Sequence, residues 1–182
     1  RNMFQSAIRT GRRARDKTGI SKNALSVSSV AVDLAERAVG NLAGCKIMVI
    51  GAGEAGRLVA QVAKERGASQ IVVANRTRKR AAPLAKALGG TSIDLNNLGS
   101  ELMTAHLVIT CAGAPHRILD VRRVKEVMKT RPELPLVIID IAVPRNAESS
   151  VGKIGNVFLY DIDDLTELSS QNRQQREGEI QA

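Results

Sequence analysis

The sequence predicts an α/β domain built on a mostly parallel sheet with helices on both faces. From Lys46 onward, short apolar runs alternate with amphipathic stretches, which is the pattern of strand–helix–strand units with parallel strands. Hydrophobic residues make up 43% of the chain and aromatic residues only 2%. A core of Val, Ile, Leu and Ala follows, and such a core suits buried parallel strands. At 182 residues, the chain accommodates one domain with attached segments.

A helical lead-in precedes the sheet. Residues 1–22 hold seven Lys and Arg but one Asp, and we interpret them as a basic helix followed by a loop. Two interpretations of this charge stay open: a solvated helix face or a surface that faces RNA. Apolar residues at Val27, Ala31, Leu34 and Ala38 then predict a helix that ends near Gly40.

The sheet is predicted from five apolar runs. The first four are continuous, as expected of strands covered on both faces. The five runs are residues 47–50, 71–74, 107–110, 136–140 and 157–160. Helices are predicted over residues 54–66, from a stripe of apolar side chains, and over residues 78–88, where Pro83 is the one feature against a helix.

A glycine-rich loop connects the first strand to the first of these helices. Gly51, Gly53 and Gly56 form the pattern G-x-G-x-x-G. The first glycine permits the tight turn, the second lets the backbone approach a pyrophosphate, and the third lets the helix pack closely on the strand. The anion would meet free N–H groups of the helix N-terminus, so Ala52, Glu54 and Ala55 belong to the predicted site as well. Because a predicted strand precedes these glycines and a predicted helix follows them, the pattern indicates a Rossmann-type dinucleotide-binding motif.

The end of the second strand predicts NADPH rather than NADH. A site for NADH usually offers an acid to the ribose 2′-hydroxyl here, whereas this sequence has Asn75, Arg76 and Thr77. A guanidinium and a hydroxyl bind a 2′-phosphate, and Asn75 can bond the ribose. Thr77 is equally expected to be the N-cap of the next helix. The cationic residues 78–80 are interpreted as a solvated helix face.

Small residues after a later strand extend the predicted site. Thr110, Cys111, Ala112 and Gly113 would let the cofactor lie across the strand ends. We interpret Cys111 as a small buried thiol in preference to a nucleophile, because the spacing offers it no partner base. His116 either contacts cofactor or substrate or faces solvent, and His106 is expected to be structural.

Several longer stretches resemble glutamyl-tRNA reductase. The resemblance covers nearly the whole chain and corresponds to the middle domain of that family. It rests on Phe4-Gln5 with Ala7, Thr18-Gly19-Ile20, residues 26–29 (SVSS), residues 49–53 (VIGAG), Asn75-Arg76-Thr77, residues 113–116 (GAPH), residues 140–145 (DIAVPR) and residues 160–165 (YDIDDL).

The resemblance implies an NADPH-dependent reduction. In this family a cysteine of an N-terminal domain takes the glutamyl group from tRNA as a thioester, and hydride from NADPH releases glutamate-1-semialdehyde for tetrapyrrole (porphyrin and heme) synthesis. Neither Cys45 nor Cys111 matches that nucleophile's motif, so we expect no catalytic residue here. The family also implies a homodimer, glutamyl-tRNA as a partner and possible contact with the next enzyme of the pathway.

The expected division follows from this resemblance. Residues 1–22 end a connecting helix from a missing catalytic domain, residues 23–165 form the NADPH-binding domain, and residues 166–182 lead toward a missing dimerisation domain. The residues alone leave two other classes open: another NADP-dependent oxidoreductase with a layout like shikimate dehydrogenase, and a non-catalytic module that binds NADPH or RNA.

The remaining expectations concern partners and metals. No apolar run is long enough to cross a bilayer, so we expect no membrane contact and a cytoplasmic protein, or a stromal one in a plastid. No metal site is expected, because Asp161, Asp163 and Asp164 suit the first turn of a helix. Ser26 is the expected N-cap of the lead-in helix. Asp140 is expected to shape the nicotinamide end, and Pro144 and Arg145 the loop beyond it.

Overall fold

The structure, a computed structural model, describes residue 10 and residues 27–167, and its centre is a six-stranded sheet. All neighbouring strands of the sheet are parallel. The strands are β1 (Lys46–Ile50), β2 (Gln70–Asn75), β3 (Thr91–Asp94), β4 (Leu107–Thr110), β5 (Leu136–Asp140) and β6 (Val157–Asp161). Their spatial order is β3-β2-β1-β4-β5-β6, which is the doubly wound order of dinucleotide-binding domains.

Helices cover both faces of this sheet. They are α1 (Val27–Val39), α2 (Glu54–Glu65), α3 (Arg78–Ala87), α4 (Leu98–Leu102) and α5 (Val121–Thr130), and a further helix over residues 162–167 follows β6. Side chains of α1, α2 and α3 share one buried cluster, and side chains of α4 and α5 share the other. The predicted architecture, a doubly wound sheet between two helical layers, is confirmed.

Alternation along the strands divides the core between the two layers. In β1, Ile47 and Val49 belong to the cluster under α1, α2 and α3, whereas Met48 and Ile50 belong to the cluster under α4 and α5. All four are 0% exposed. Because successive strand side chains point to opposite faces, a strand buried on both sides must be apolar at every position. Each such side chain stabilises the fold by about 1.5–3 kcal/mol.

The five predicted strands and the helices predicted over residues 54–66 and 78–88 are present, but one strand was missed. The missed strand is β3, whose sequence Thr-Ser-Ile-Asp has no continuous apolar run. It lies at the edge of the sheet and pairs only with β2. An edge strand of this kind is only partly covered, so burial places little demand on its composition. Sequence periodicity therefore had no signal to detect.

The lead-in helix α1 was assigned correctly in position but only partly in its buried face. Ala31 and Leu34 are buried as expected, whereas Val27 is 45% exposed and Ala38 is exposed. The helix instead buries a broader set of side chains: Ser28, Val30, Ala31, Val32, Leu34 and Ala35. A helix wedged against both the sheet and α2 presents a wider face than the single stripe that was predicted.

The side chains of His106 and Arg131 form hydrogen bonds with backbone groups near the amino-terminal ends of β1, β4 and β5. The N–H of Lys46, at the start of β1, donates to Nδ1 of His106, just before β4, at 3.0 Å. Burial, and secondarily the charge of Arg131, lower the pKa of His106 and keep the imidazole neutral, as an acceptor must be. His106 is therefore structural, as predicted. The Arg131 guanidinium lies buried between α5 and β5 and donates only to backbone carbonyls.

Several expectations fall on residues outside the described part of the chain. The basic segment 1–22, apart from residue 10, lies there, as do Ser26 and residues 168–182. In the part that is described, every helix is too short or too polar to cross a lipid bilayer.

Candidate functional site

The glycine loop connects β1 to α2 at the carboxyl-terminal edge of the sheet. Gly51 has a φ of +119°, a conformation that side chains rarely adopt. A Cβ there would also lie 2.9 Å from the backbone nitrogen of Ala112. Gly56 lies under the same turn, where a Cβ would collide with the carbonyl oxygen of Gly51 and approach Sγ of Cys111 to 3.0 Å. The first and third glycines are thus required by the fold itself.

Gly53 differs from these two glycines, because none of the described residues requires a glycine at this position. It precedes α2 with a φ of −81°, which any residue adopts, and a Cβ at this position would have no atom within 4 Å. The space beside it is open, and the N–H groups of the first turn of α2 have no partner within the helix. This is the arrangement that a pyrophosphate needs for close approach to a backbone.

The turn after β2 forms the cationic side of the same edge. Asn75 ends the strand, and its Nδ2 donates to the carbonyl of Thr77 at 3.1 Å, which closes the turn. Thr77 is the N-cap residue of α3 as predicted, but its side chain makes no cap hydrogen bond. The backbone N–H of Arg80 bonds the Thr77 carbonyl at 2.9 Å and starts the helix. Pro83 is the sixth residue of α3 and lies inside the helix, so the helix forms although the proline lacks the N–H that would bond the carbonyl of Lys79.

Cys111 follows β4 directly opposite the glycine loop. Its N–H bonds the carbonyl of Ile50 at 2.9 Å, and its thiol donates to the same carbonyl at 3.3 Å. Burial, and secondarily the charge of Asp140, raise the pKa of Cys111 to about 12. Because the thiolate is the nucleophilic form, such a thiol is inert at neutral pH. The structure thus supports the interpretation of Cys111 as a small packing thiol in preference to a nucleophile, although the side chain is only partly buried where it lines the cleft.

Asp140, at the end of β5, is a buried carboxylate with four donors. The Thr110 hydroxyl donates to Oδ1 at 2.5 Å and the N–H of Ala142 at 3.1 Å. The N–H groups of Asn146 and Ala147 both donate to Oδ2 at 2.8 Å. These bonds fold residues 141–147 back over the strand end, with a cis peptide bond between Val143 and Pro144. Neither Pro144 nor Arg145 lines the cleft described below.

The acidic residues at the end of β6 and directly after it cap a helix. Oδ1 of Asp161 accepts the N–H groups of Asp163 and Asp164, and Oδ2 of Asp164 accepts the N–H of Asp161, which is a reciprocal capping box. Arg145 pairs with Asp161 and Asp163 at 2.8 and 2.7 Å. No group of three or more His, Cys, Asp or Glu side chains in the described ranges is arranged to hold a metal ion.

These elements enclose a cleft of about 330 Å³ at the carboxyl-terminal ends of the neighbouring strands β1 and β4, where the strand order of the sheet reverses. This is the usual ligand site of such sheets. Most of the predicted site residues line it: Gly51, Ala52, Gly53, Asn75, Arg76, Thr77, Cys111, Ala112 and Gly113. Four do not. Glu54 and Ala55 face outward on α2, Gly56 is buried beneath the loop, and Thr110 is fully buried against Asp140.

The cleft also contains residues that the sequence analysis missed or assigned elsewhere. Arg80 lines it, whereas residues 78–80 were all interpreted as a solvated face. The sequence did contain one indication of this: Arg80 comes three residues after Thr77, in the first turn of α3, next to the predicted 2′-phosphate site. Leu95, which follows the missed strand β3, and Ile118 complete the apolar wall, as does Ala114. His116 is exposed and does not line the cleft, so of its two interpretations the structure favours a side chain that faces solvent.

Comparison with known proteins agrees with this architecture. The model of the family described as Shikimate / quinate 5-dehydrogenase matches residues 33–168. A glutamyl-tRNA reductase from Maridesulfovibrio salexigens is 41% identical over 97% of this chain, which spans 40% of that relative's length. The chain thus covers well under half of the curated relatives it matches.

Solved structures give the same result. Glutamyl-tRNA reductase from Methanopyrus kandleri superposes with a TM-score of 0.80 at 41% identity, over 97% of this chain and 45% of that one. The nucleotide-binding domain of the Thermoplasma volcanium glutamyl-tRNA reductase superposes with a TM-score of 0.64 at 22% identity, over 84% of this chain and 96% of that one, a likeness of fold alone. The chain is therefore homologous to part of the glutamyl-tRNA reductases and belongs to the shikimate / quinate 5-dehydrogenase family.

Proposed function

We propose that this chain is the NADPH-binding domain of a glutamyl-tRNA reductase. The observation that carries the cofactor choice is the charge of the cleft lining, which contains Arg76 and Arg80 and no acid among the described residues. The nearest acid along the sheet, Asp94, pairs with Asn75 in the strand register but accepts the N–H of Asn96 at 2.9 Å. A 2′-phosphate at this turn would meet two guanidinium groups and the Thr77 hydroxyl without repulsion.

The rest of the cleft fits the other parts of a dinucleotide. The open space beside Gly53 and the first turn of α2 suit the pyrophosphate. Leu95 and Ile118 offer apolar surface to the adenine ring. Across the switch point, Ala112 and Gly113 follow β4 and suit the nicotinamide half. Cys111 lies under this segment as a neutral thiol, so its role is packing rather than covalent chemistry.

In this proposal the chain binds and orients the reductant. NADPH, when bound, supplies a hydride that reduces an enzyme-bound glutamyl thioester, derived from glutamyl-tRNA, to glutamate-1-semialdehyde. The thioester forms on a cysteine outside these residues. The proposal includes residues 23–165 as the domain, a homodimer for the whole protein, and contact with the next enzyme of tetrapyrrole synthesis. Homology along nearly the whole chain to the glutamyl-tRNA reductases of M. salexigens and M. kandleri supports it.

The cofactor assignment is tested by calorimetric titration of the chain with NADPH and with NADH. We expect tighter binding of NADPH, and we expect Arg76→Ala to remove most of that preference by weakening NADPH alone. Arg78→Ala is the matched control, because Arg78 carries the same charge two residues further along, at the start of α3, but does not line the cleft. Equal loss of NADPH binding in both variants would point to a general field effect and contradict the assignment.

The reaction itself is tested in a polypeptide that contains these residues together with the remaining length of the relatives. It should form glutamate-1-semialdehyde from glutamyl-tRNA and NADPH, and Arg76→Ala should raise the KM for NADPH and leave the KM for glutamyl-tRNA unchanged. Binding of NADPH without any turnover of glutamyl-tRNA would contradict the reductase assignment while leaving the cofactor assignment standing.

A further inference from the structure

Asn146 connects the two loops at the carboxyl-terminal end of the sheet, although it lies outside the cleft lining. It is 0% exposed. Its side-chain Oδ1 accepts the N–H of Ala112 at 3.0 Å, and its backbone carbonyl accepts the N–H groups of Ile118 and Leu119 at 2.7 and 3.1 Å. The side-chain bond reaches the segment after β4 that lines the cleft.

Asn146 is itself held by Asp140. The Asn146 N–H donates to Oδ2 of that buried carboxylate, whose Oδ1 accepts the Thr110 hydroxyl at the end of β4. Three hydrogen bonds therefore run in sequence from Thr110 through Asp140 and Asn146 to Ala112. These bonds connect Thr110, at the end of β4, to Ala112 in the loop that follows the same strand, and they pass through Asp140 at the end of β5.

The amide of Asn146 is poorly explained by stability alone. Its Nδ2 is buried and has no hydrogen-bond partner among the described residues. An unpaired buried donor is unfavourable, and an apolar side chain of the same size would avoid that cost. What asparagine provides here, and an apolar residue cannot, is the fixed acceptor for the N–H of Ala112.

We propose that Asn146, oriented by Asp140, is a positioning residue that sets the nicotinamide side of the cleft by holding Ala112 in place. The inference rests on the proposed function and adds to it a residue that touches no cofactor. The opposite side of the cleft, formed by Arg76, Thr77 and Arg80 on the far side of β1, has no hydrogen bond to Asn146. Loss of the Asn146 amide should therefore weaken the binding of the nicotinamide half of the dinucleotide and leave the binding of the 2′-phosphate half unchanged.

The test compares NADPH with adenosine 2′,5′-bisphosphate, which carries the 2′-phosphate but no nicotinamide. In titrations of the whole chain, we expect Asn146→Leu to weaken NADPH binding about tenfold, the effect of one well-placed hydrogen bond, and to leave the bisphosphate within about twofold. Thr110→Val, which removes one of four donors to Asp140, should give a smaller loss with the same selectivity. The thermal unfolding temperature of Asn146→Leu should change little, because removal of the unpaired Nδ2 offsets the lost bond to the Ala112 N–H.

Asn41→Leu is the matched control. Oδ1 of Asn41 also accepts a backbone N–H, that of Ala43 at 2.8 Å, but at the amino-terminal end of the sheet. Asn41→Leu should change neither the affinity for NADPH nor the affinity for adenosine 2′,5′-bisphosphate. Equal weakening of both ligands by Asn146→Leu would assign Asn146 a purely structural role, and unchanged NADPH binding would show that the Ala112 segment holds its position unaided. Either result overturns the inference while the proposed function stands. Failure of the unsubstituted chain to bind either ligand would overturn both.

Discussion

Gly56 of α2 packs against the carbonyl oxygen of Gly51, with no room for a Cβ between them. Gly51 and Gly56 thus depend on each other, whereas Gly53, the middle glycine of the motif, depends on neither. This contrast separates the structural and binding contributions of a motif that is usually treated as a unit.

We expect Gly56→Ala to destabilise the domain by about 1–3 kcal/mol, the usual cost of an overpacked site. Gly53→Ala should cost at most about 1 kcal/mol, as alanine is a poorer N-cap than glycine, yet it should weaken NADPH binding more than adenosine binding. Urea unfolding and calorimetric titration of both variants check this. A Gly53→Ala chain that binds NADPH normally would place the pyrophosphate elsewhere.

Arg80 was assigned to solvent from the sequence but lines the cleft. We expect Arg80→Ala to lower the affinity for NADPH by about tenfold, the effect of one charge-assisted hydrogen bond. The affinity for NADH should stay unchanged, because NADH lacks the 2′-phosphate. Lys79→Ala makes an equal change of charge at a neighbouring position outside the lining and should alter neither affinity. Equal effects of Arg80→Ala on both cofactors would contradict a 2′-phosphate contact.

The partly buried thiol of Cys111 should make stability depend on alkaline pH. Its folded-state pKa is raised from 9.0 to about 12, so its contribution is complete below pH 9 and is lost as the pH rises through the folded value. Between these limits the loss is about 1.4 kcal/mol per pH unit. Urea unfolding at pH 7, 9 and 10 should show a steeper decline for the unsubstituted chain than for Cys111→Ser. Parallel declines would mean that the thiol ionises as freely in the folded state as in the unfolded state.

Arg131 is a buried cation that donates only to carbonyls, those of Leu102, Ala105, Leu134 and Pro135. We expect Arg131→Met to destabilise the domain by about 3 kcal/mol, because it leaves these acceptors unpaired. Arg131→Lys should recover only part of this, since an ammonium lacks the planar fork. Arg122→Met, at an exposed position of α5, should stay within about 0.5 kcal/mol. Denaturant unfolding measures all three.

The acids after β6 are expected to act as a helix cap and not as metal ligands. Asp161→Ala should cost about 1 kcal/mol through the lost cap, and Asp161→Asn should recover most of it, because asparagine is an equally good N-cap. Addition of EDTA, Mg²⁺ or Ca²⁺ should leave the unfolding temperature unchanged. A shift of that temperature with Ca²⁺, abolished by Asp161→Asn, would instead reveal a metal site.

The sequence by itself determined the elements whose local signal is strong. Strands buried on both faces must be apolar throughout, so β1, β2, β4 and β5 were evident as continuous runs. The tight turn at Gly51 and the close packing at Gly56 are local requirements of one strand–turn–helix unit, and they too were visible in the spacing of the glycines.

Only the tertiary structure decided which distant residues meet. The edge strand β3 is stabilised by pairing with β2 and leaves no apolar pattern. The cleft position of Arg80 depends on how α3 packs against the sheet. The bond between Asn146 and Ala112 joins loops 34 residues apart. Contacts of this kind depend on the relative placement of elements, and no periodicity within a single element encodes that placement.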